Sequence, residues 1–193
     1  MNIKDNLPII LFATQAEWEA WLKEHHAEAK GIWLKFAKKA SQIASINYAQ
    51  ALEEALCYGW IDGQKASFDE QHWLLKFTPR RPKSIWSQIN REKALALIEA
   101  GKMQPAGLQQ IERAKADGRW DAAYASQKNS DIPADLQSEL AKNPQALAFF
   151  NTLNSQNRYA IIFRLQTAKK AETRAARLQK FVEMLSRQEK IHP

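Results

Sequence analysis

At 193 residues and 22.1 kDa, with 45% hydrophobic and 25% charged residues, the chain suits one compact domain or one with a smaller appendage. It is long enough to bury a core, and the composition excludes global disorder. A surplus of 28 Lys+Arg over 21 Asp+Glu gives a formal charge of +7, a bias toward anionic partners, and the single cysteine, Cys57, excludes an intrachain disulfide.

The apolar run Leu7–Ala13 reads as a strand. It lacks the cleavage site and flanks of a secretory signal, no later segment approaches the roughly 20 apolar residues that span a bilayer, and a cytoplasmic location is expected. Thr14 followed by Glu17 has the form of a capping box, and Trp18, Trp21, Leu22 and His25 recur at helical spacing. Gly31 ends that helix, and Ile32–Lys38 is β-branched and aromatic enough for a second strand. Asn47 and Gln50 open another helix with Ala51, Leu52, Ala55 and Leu56 on one face. Residues 60–78 alternate as two strands with a turn near Asp69-Glu70, Trp73, Leu75 and Phe77 pointing inward, and Pro79 and Pro82 close the sheet.

Beyond residue 84 the pattern is helical. Ser84 is the expected cap of a helix carrying Ile85, Ile89 and Leu97-Ile98 to Gly101, and Pro105 opens another with Leu108 and Ile111 to Gly118. The polar stretch 126–131 is the expected linker. Helices then start at Pro133, Asn143-Pro144 and Ser155, and the last carries Ala171, Leu178, Phe181 and Leu185 on one face with a solvated basic face of Lys170, Arg174 and Arg177. The fold class is α+β: a small β-sheet with helices in the N-terminal part (1–125), which carries the candidate site, and a mostly helical C-terminal part (126–193).

The chemistry concentrates between Cys57 and Arg91. If residues 60–64 are a strand, Trp60, Asp62 and Gln64 share one face, a carboxylate, an amide and an indole on a pocket wall; the alternative is that Asp62-Gly63 is a tight turn. Six basic residues against one acid fall within 76–93, among them Arg80, Arg81 and Lys83 between and beyond two prolines. With Ser84, Trp86, Ser87 and Asn90 at the start of a helix, they suit an anion site in which guanidinium forks bind a carboxylate or phosphate. The alternatives are an Arg-Asp bridge to Asp62 and a solvated basic surface. The ligand-binding candidates are therefore Trp60, Asp62, Gln64, Arg80, Arg81, Lys83, Ser84, Trp86, Ser87 and Asn90. No metal-ligand spacing, nucleophile motif or phosphate loop is present, so no cofactor or metal is expected. Nucleic acid is disfavoured because Trp73 and Phe77 follow core alternation.

Four stretches also carry a family resemblance: Tyr48–Gln64 (YAQALEEALCYGWIDGQ), Phe77–Ser87 (FTPRRPKSIWS), Gly118–Tyr124 (GRWDAAY), and Arg158–Ile161 with Leu165–Lys170. On these the chain resembles the bacterial YdeI/OmpD-associated family, sometimes labelled bacteriocin-protection proteins. The resemblance implies an association with resistance to antimicrobial peptides and bacteriocins, and with an outer-membrane porin and the periplasm. It supplies no catalytic residues. The expected function is a cytoplasmic small-molecule or anion-binding protein with a stress or antimicrobial-peptide resistance role. Two alternatives stand beside it: an enzyme using Asp62 and Arg80, and a nucleic-acid or protein adaptor.

Overall fold

The computed structural model describes residues 3–126 and 130–193. Two units divide the chain, one holding everything up to Trp86 together with Asn90–Ala123, the other holding Ser87–Ile89 with Tyr124–Pro193. The linker expected over 126–131 centres on residues 127–129, outside the described residues. The α+β class holds: among the described residues there is one five-stranded mixed sheet in the first unit, and helices dominate the second.

The first unit begins with a hairpin, Ile3–Lys4 (β1) and Leu7–Ile10 (β2), closed by Asp5 and Asn6 at φ 53 and 59. Positive φ at both central residues is what a tight right-twisting hairpin requires. Helix Gln15–His25 (α1) then returns the chain so that Ile32–Ala37 (β3) lies parallel to β2. The capping box at Thr14 and Glu17 is formed, as is the one at Asn47 and Gln50 that starts Tyr48–Cys57 (α2). Strands Trp60–Ser67 (β4) and His72–Pro79 (β5) form the expected hairpin, and β5 inserts antiparallel between β3 and β4. Residues 60–64 are strand rather than turn, with a register shift between Asp62 and Lys65.

Cross-strand partners Ile32–Phe77, Leu34–Leu75 and Phe36–Trp73 share the face that packs on α1 and α2, where Trp18, Leu22, Leu52 and Leu56 are buried. The Trp18 indole N–H, donating to the Ala51 carbonyl at 3.1 Å, ties the two helices. The opposite face is less open than the alternation predicts. Leu74 and His72 are buried there, Leu74 flanked by Lys35 and Ala66.

Helices Gln88–Glu99 (α3) and Pro105–Ala116 (α4) follow. α3 starts four residues later than Ser84, and it buries Ala94 and Leu97, whereas Ile85, Ile89 and Ile98 are exposed. Gly107 lets α4 approach α2: a Cβ there would lie 2.3 Å from the Cys57 carbonyl oxygen and 2.7 Å from that of Leu56.

The second unit holds Ala134–Ala141 (α5), Pro144–Thr152 (α6), Ser155–Gln166 (α7) and Ala171–Ser186 (α8) around Leu136, Leu140, Phe150, Ile161, Leu165, Phe181 and Leu185. Asn154, rather than Ser155, caps α7. The α8 basic face is not simply solvated. Arg174 grips Asp135 through two bonds of 2.7 and 2.8 Å, and Arg174 and Arg177 donate to the Leu165 and Arg164 carbonyls at the end of α7. The carbonyls of a helix's last turn carry the negative end of its dipole, which is why cations collect there.

Candidate functional site

The predicted site residues separate into groups. Trp60 is fully buried, its indole N–H donating to the His26 carbonyl at 3.1 Å and its ring edge-on to Trp21, so it belongs to the core rather than to a pocket wall. Asp62, half-buried, accepts a hydrogen bond from the Tyr48 hydroxyl at 3.0 Å, and Gln64 is exposed. Arg80 is buried at the same open end of the hairpin, its amide donating to the Gly59 carbonyl at 2.9 Å, with its guanidinium carbon 3.6 Å from the centre of the Trp86 ring and one nitrogen donating to the Ile85 carbonyl at 3.3 Å. The two halves of the predicted site thus have different partners.

Around Arg80 the Pro-Arg-Arg-Pro-Lys-Ser run is a fold device. The Ser84 hydroxyl accepts from the Arg81 amide at 3.0 Å, and the Ser84 amide donates to the Arg81 carbonyl at 2.9 Å, closing a turn. The Ser84 carbonyl accepts from buried Arg119 at 2.6 Å, Arg119 is gripped by Asp117 at 2.7 Å, and Trp86 meets Trp120 edge-on at 4.9 Å. Ser84 therefore closes this turn instead of capping a helix. Ser84, Ser87 and Asn90 do not share a helix face, because Ser84 precedes the helix and Ser87 pairs with Tyr124. Arg81 and Lys83 point outward and are exposed.

A recess lies at the other end of β3, away from the candidate residues that the sequence picks out. Residues 38–47 join β3 to α2 through a short helical turn, Lys39–Ser41, and Gln42 in the left-handed region at φ 56. Three bonds hold this loop: the Lys38 amide to the Gln71 carbonyl at 2.7 Å, the Ala37 amide to the Ser45 hydroxyl at 3.0 Å, and the Ile46 amide to the Phe12 carbonyl at 3.1 Å. The loop stands away from the sheet and leaves a cavity of about 330 Å³ against Phe36, Trp73 and Tyr48. A second, of about 520 Å³, opens on the Lys65–Ser67 side, and both are bordered by Lys38 and Trp73. These sizes suit small ligands.

Trp73 is the shared wall. One face of its ring stacks on Phe36, 4.5 Å between centres and 14° from parallel, and the Lys65 ammonium lies 4.5 Å from the ring centre. The Lys38 ammonium donates to the Asp69 carbonyl at 3.0 Å. Neither Lys39 nor Lys65 enters an ion pair among the described residues. The recess therefore combines apolar walls with unneutralised positive charge.

Cys57 and Glu54 are shifted groups elsewhere in the first unit. Burial, aided by Glu54, pushes the Cys57 thiol up to about 12, which makes it inert at neutral pH. Burial also raises the Glu54 carboxyl, opposed by its hydrogen bond from Gln15 at 2.6 Å. Among the described residues no group of three His, Cys, Asp or Glu could hold a metal ion, and no helix is long and apolar enough to cross a membrane.

Comparison with protein families divides the sequence in two. The model described as Domain of unknown function (DUF8412) matches residues 10–110, more than half of the 193-residue chain. The chain belongs to the DUF8412 family. The DUF8412 stretch contains the Trp73 recess and the Arg80 turn. Residues 129–188 match a second model, described as Bacteriocin-protection, YdeI or OmpD-Associated, which bears out the family resemblance over that segment. Arg158–Ile161 and Leu165–Lys170 fall inside this second match, Tyr48–Gln64 and Phe77–Ser87 inside the first, and Gly118–Tyr124 between them. No curated protein and no solved structure matches the chain.

Proposed function

We propose that this chain is a binding protein for a small anionic ligand, taken up beside Trp73, and that it serves a stress or antimicrobial-peptide resistance role from the cytoplasm. The observation that carries the reading is the pair of ammonium groups without ion-pair partners, Lys39 and Lys65, at an apolar recess whose walls include Phe36 and Trp73. Ammonium groups beside an apolar wall favour carboxylate or phosphate, because a charge-assisted hydrogen bond is stronger than one between neutral groups. The role is drawn from the description of the model that residues 129–188 match. Direct capture of cationic peptides is the wrong sign for a chain of formal charge +7. Protection then works through the anion that the protein binds. Asp62 and Arg80 each serve another partner, and no catalytic pairing is proposed for them.

The test is thermal denaturation of the full chain with inorganic phosphate and small phosphorylated metabolites. A ligand at a hundred times its dissociation constant stabilises by about 2.7 kcal/mol, which shows as a clear rise in Tm. The rise should vanish in a Lys39→Ala/Lys65→Ala variant and shrink as salt increases. The absence of any rise across the anion set contradicts the proposal.

A further inference from the structure

The geometry around Trp73 points to a narrower ligand class, and the inference rests on the anion reading above. We infer that the ligand carries a planar aromatic ring joined to its anionic group, a nucleoside monophosphate being the type. The ring stacks on Trp73 where Lys65 now lies, and the anion pairs with the lysines at the rim.

Two observations converge on this. First, the indole has one face fixed on Phe36, nearly parallel at 4.5 Å, so the shelf is held rigid from behind. Its other contact is an exposed lysine on a flexible stem, at 4.5 Å. An exposed ammonium over a ring is weakly held, whereas an aromatic ring in the same place adds buried area and an offset stack. Secondly, the displaced ammonium need not lose a partner. The cavity on the Lys65 side is itself lined by Lys38 and Lys65 as well as by Trp73, so a ring on the indole leaves its anionic substituent beside both lysines. Lys65 would exchange a contact with a ring for a charge-assisted hydrogen bond. A ligand with charge alone would leave the indole face unused, and a ring alone would leave the two lysines of this cavity without an anion.

The experiment compares three probes on the unaltered full chain by calorimetric titration: adenosine monophosphate, ribose 5-phosphate, which keeps the anion and lacks the ring, and adenosine, which keeps the ring and lacks the anion. The inference predicts that the monophosphate binds about tenfold or more tighter than ribose 5-phosphate, the size of effect that base–aromatic stacking supplies, and that adenosine binds weakest. Trp73→Ala should bring the monophosphate down to ribose 5-phosphate, and Trp73→Phe should keep part of the gap. Lys65→Ala should weaken both phosphates together. Equal binding of the two phosphates overturns the ring while leaving the anion reading intact. No binding of either phosphate overturns both, and adenosine binding as tightly as its monophosphate overturns the anion reading. The comparison among probes needs no variant, so a poorly folded Trp73→Ala cannot mask the result.

Discussion

Two of the cation–aromatic pairs in the first unit are of opposite character. Arg80 lies 3.6 Å over Trp86 with both side chains buried, and its neighbourhood is fastened by Ser84, Arg119 and Asp117. Lys65 lies 4.5 Å over Trp73 at an exposed edge, where the ring borders two cavities. Such a contact is worth about 0.5–1 kcal/mol when exposed and about 2 kcal/mol or more when desolvated. The sealed pair is therefore committed to stability, and the open pair is cheap to rearrange. A basic-aromatic sequence signature cannot distinguish these roles, because burial decides between them.

Removing the sealed cation should have the largest effect. Arg80→Ala deletes the stack and the bond to the Ile85 carbonyl and leaves a hole beside Trp86. A destabilisation of about 3 kcal/mol is expected in denaturant melts. Arg80→Lys should recover little, since an ammonium cannot lie flat on the indole. Arg119→Ala should cost about 2 kcal/mol by the same assay, because it removes the guanidinium's bonds to the Ser84 carbonyl and to the Asp117 carboxylate together. The open pair should behave oppositely. Lys65→Ala should change stability by less than about 0.5 kcal/mol, as ordinary surface substitutions do, while weakening phosphate binding severalfold. If Lys65→Ala proved as destabilising as Arg80→Ala, the contrast between the pairs would fail.

The smallest effect concerns pH in the same unit. Burial holds the folded Glu54 carboxyl above its ordinary range, so the folded state keeps that proton more tightly than the unfolded chain. Its contribution is fully present below the ordinary carboxylate pKa and is lost as pH rises through the raised one. Glu54→Gln keeps an acceptor for Gln15 and removes the charge. It should raise Tm slightly at neutral pH and remove that part of the pH dependence, which a series of melts across the acid-to-neutral range would read.

Much of the fold was legible because its signals are local. The capping boxes at Thr14 and Asn47, the alternation of Trp73, Leu75 and Phe77, and the prolines that end β5 each act within a few residues. Ser84 misled for the opposite reason. Its hydroxyl bonds backward to Arg81 and its carbonyl is taken by Arg119, 35 positions on, so a plausible helix start became a turn. Trp73 faces the core side as the alternation predicts, yet its place near the end of β5 leaves the ring partly uncovered, which alternation alone cannot reveal. One signal did exist: ten residues, 38–47, join a strand to a helix and open with two lysines. A connection of that length on a rigid scaffold is a place to look for a site. Asp62 came close to it, since its partner Tyr48 lines the loop cavity.

The most direct test of the open pair as the binding site is a titration of a phosphorylated probe into three proteins: the unaltered chain, Lys39→Ala/Lys65→Ala, and Arg81→Ala/Lys83→Ala. The last pair removes the exposed charges of the Pro-Arg-Arg-Pro-Lys run and leaves the recess alone. Affinity should fall at least tenfold in the Lys39/Lys65 variant, with Tm unchanged within about 2 °C, and stay near the unaltered value in the Arg81/Lys83 variant. Full affinity in the Lys39/Lys65 variant, with the loss appearing in Arg81/Lys83 instead, would return the site to the Arg80 turn and contradict the account.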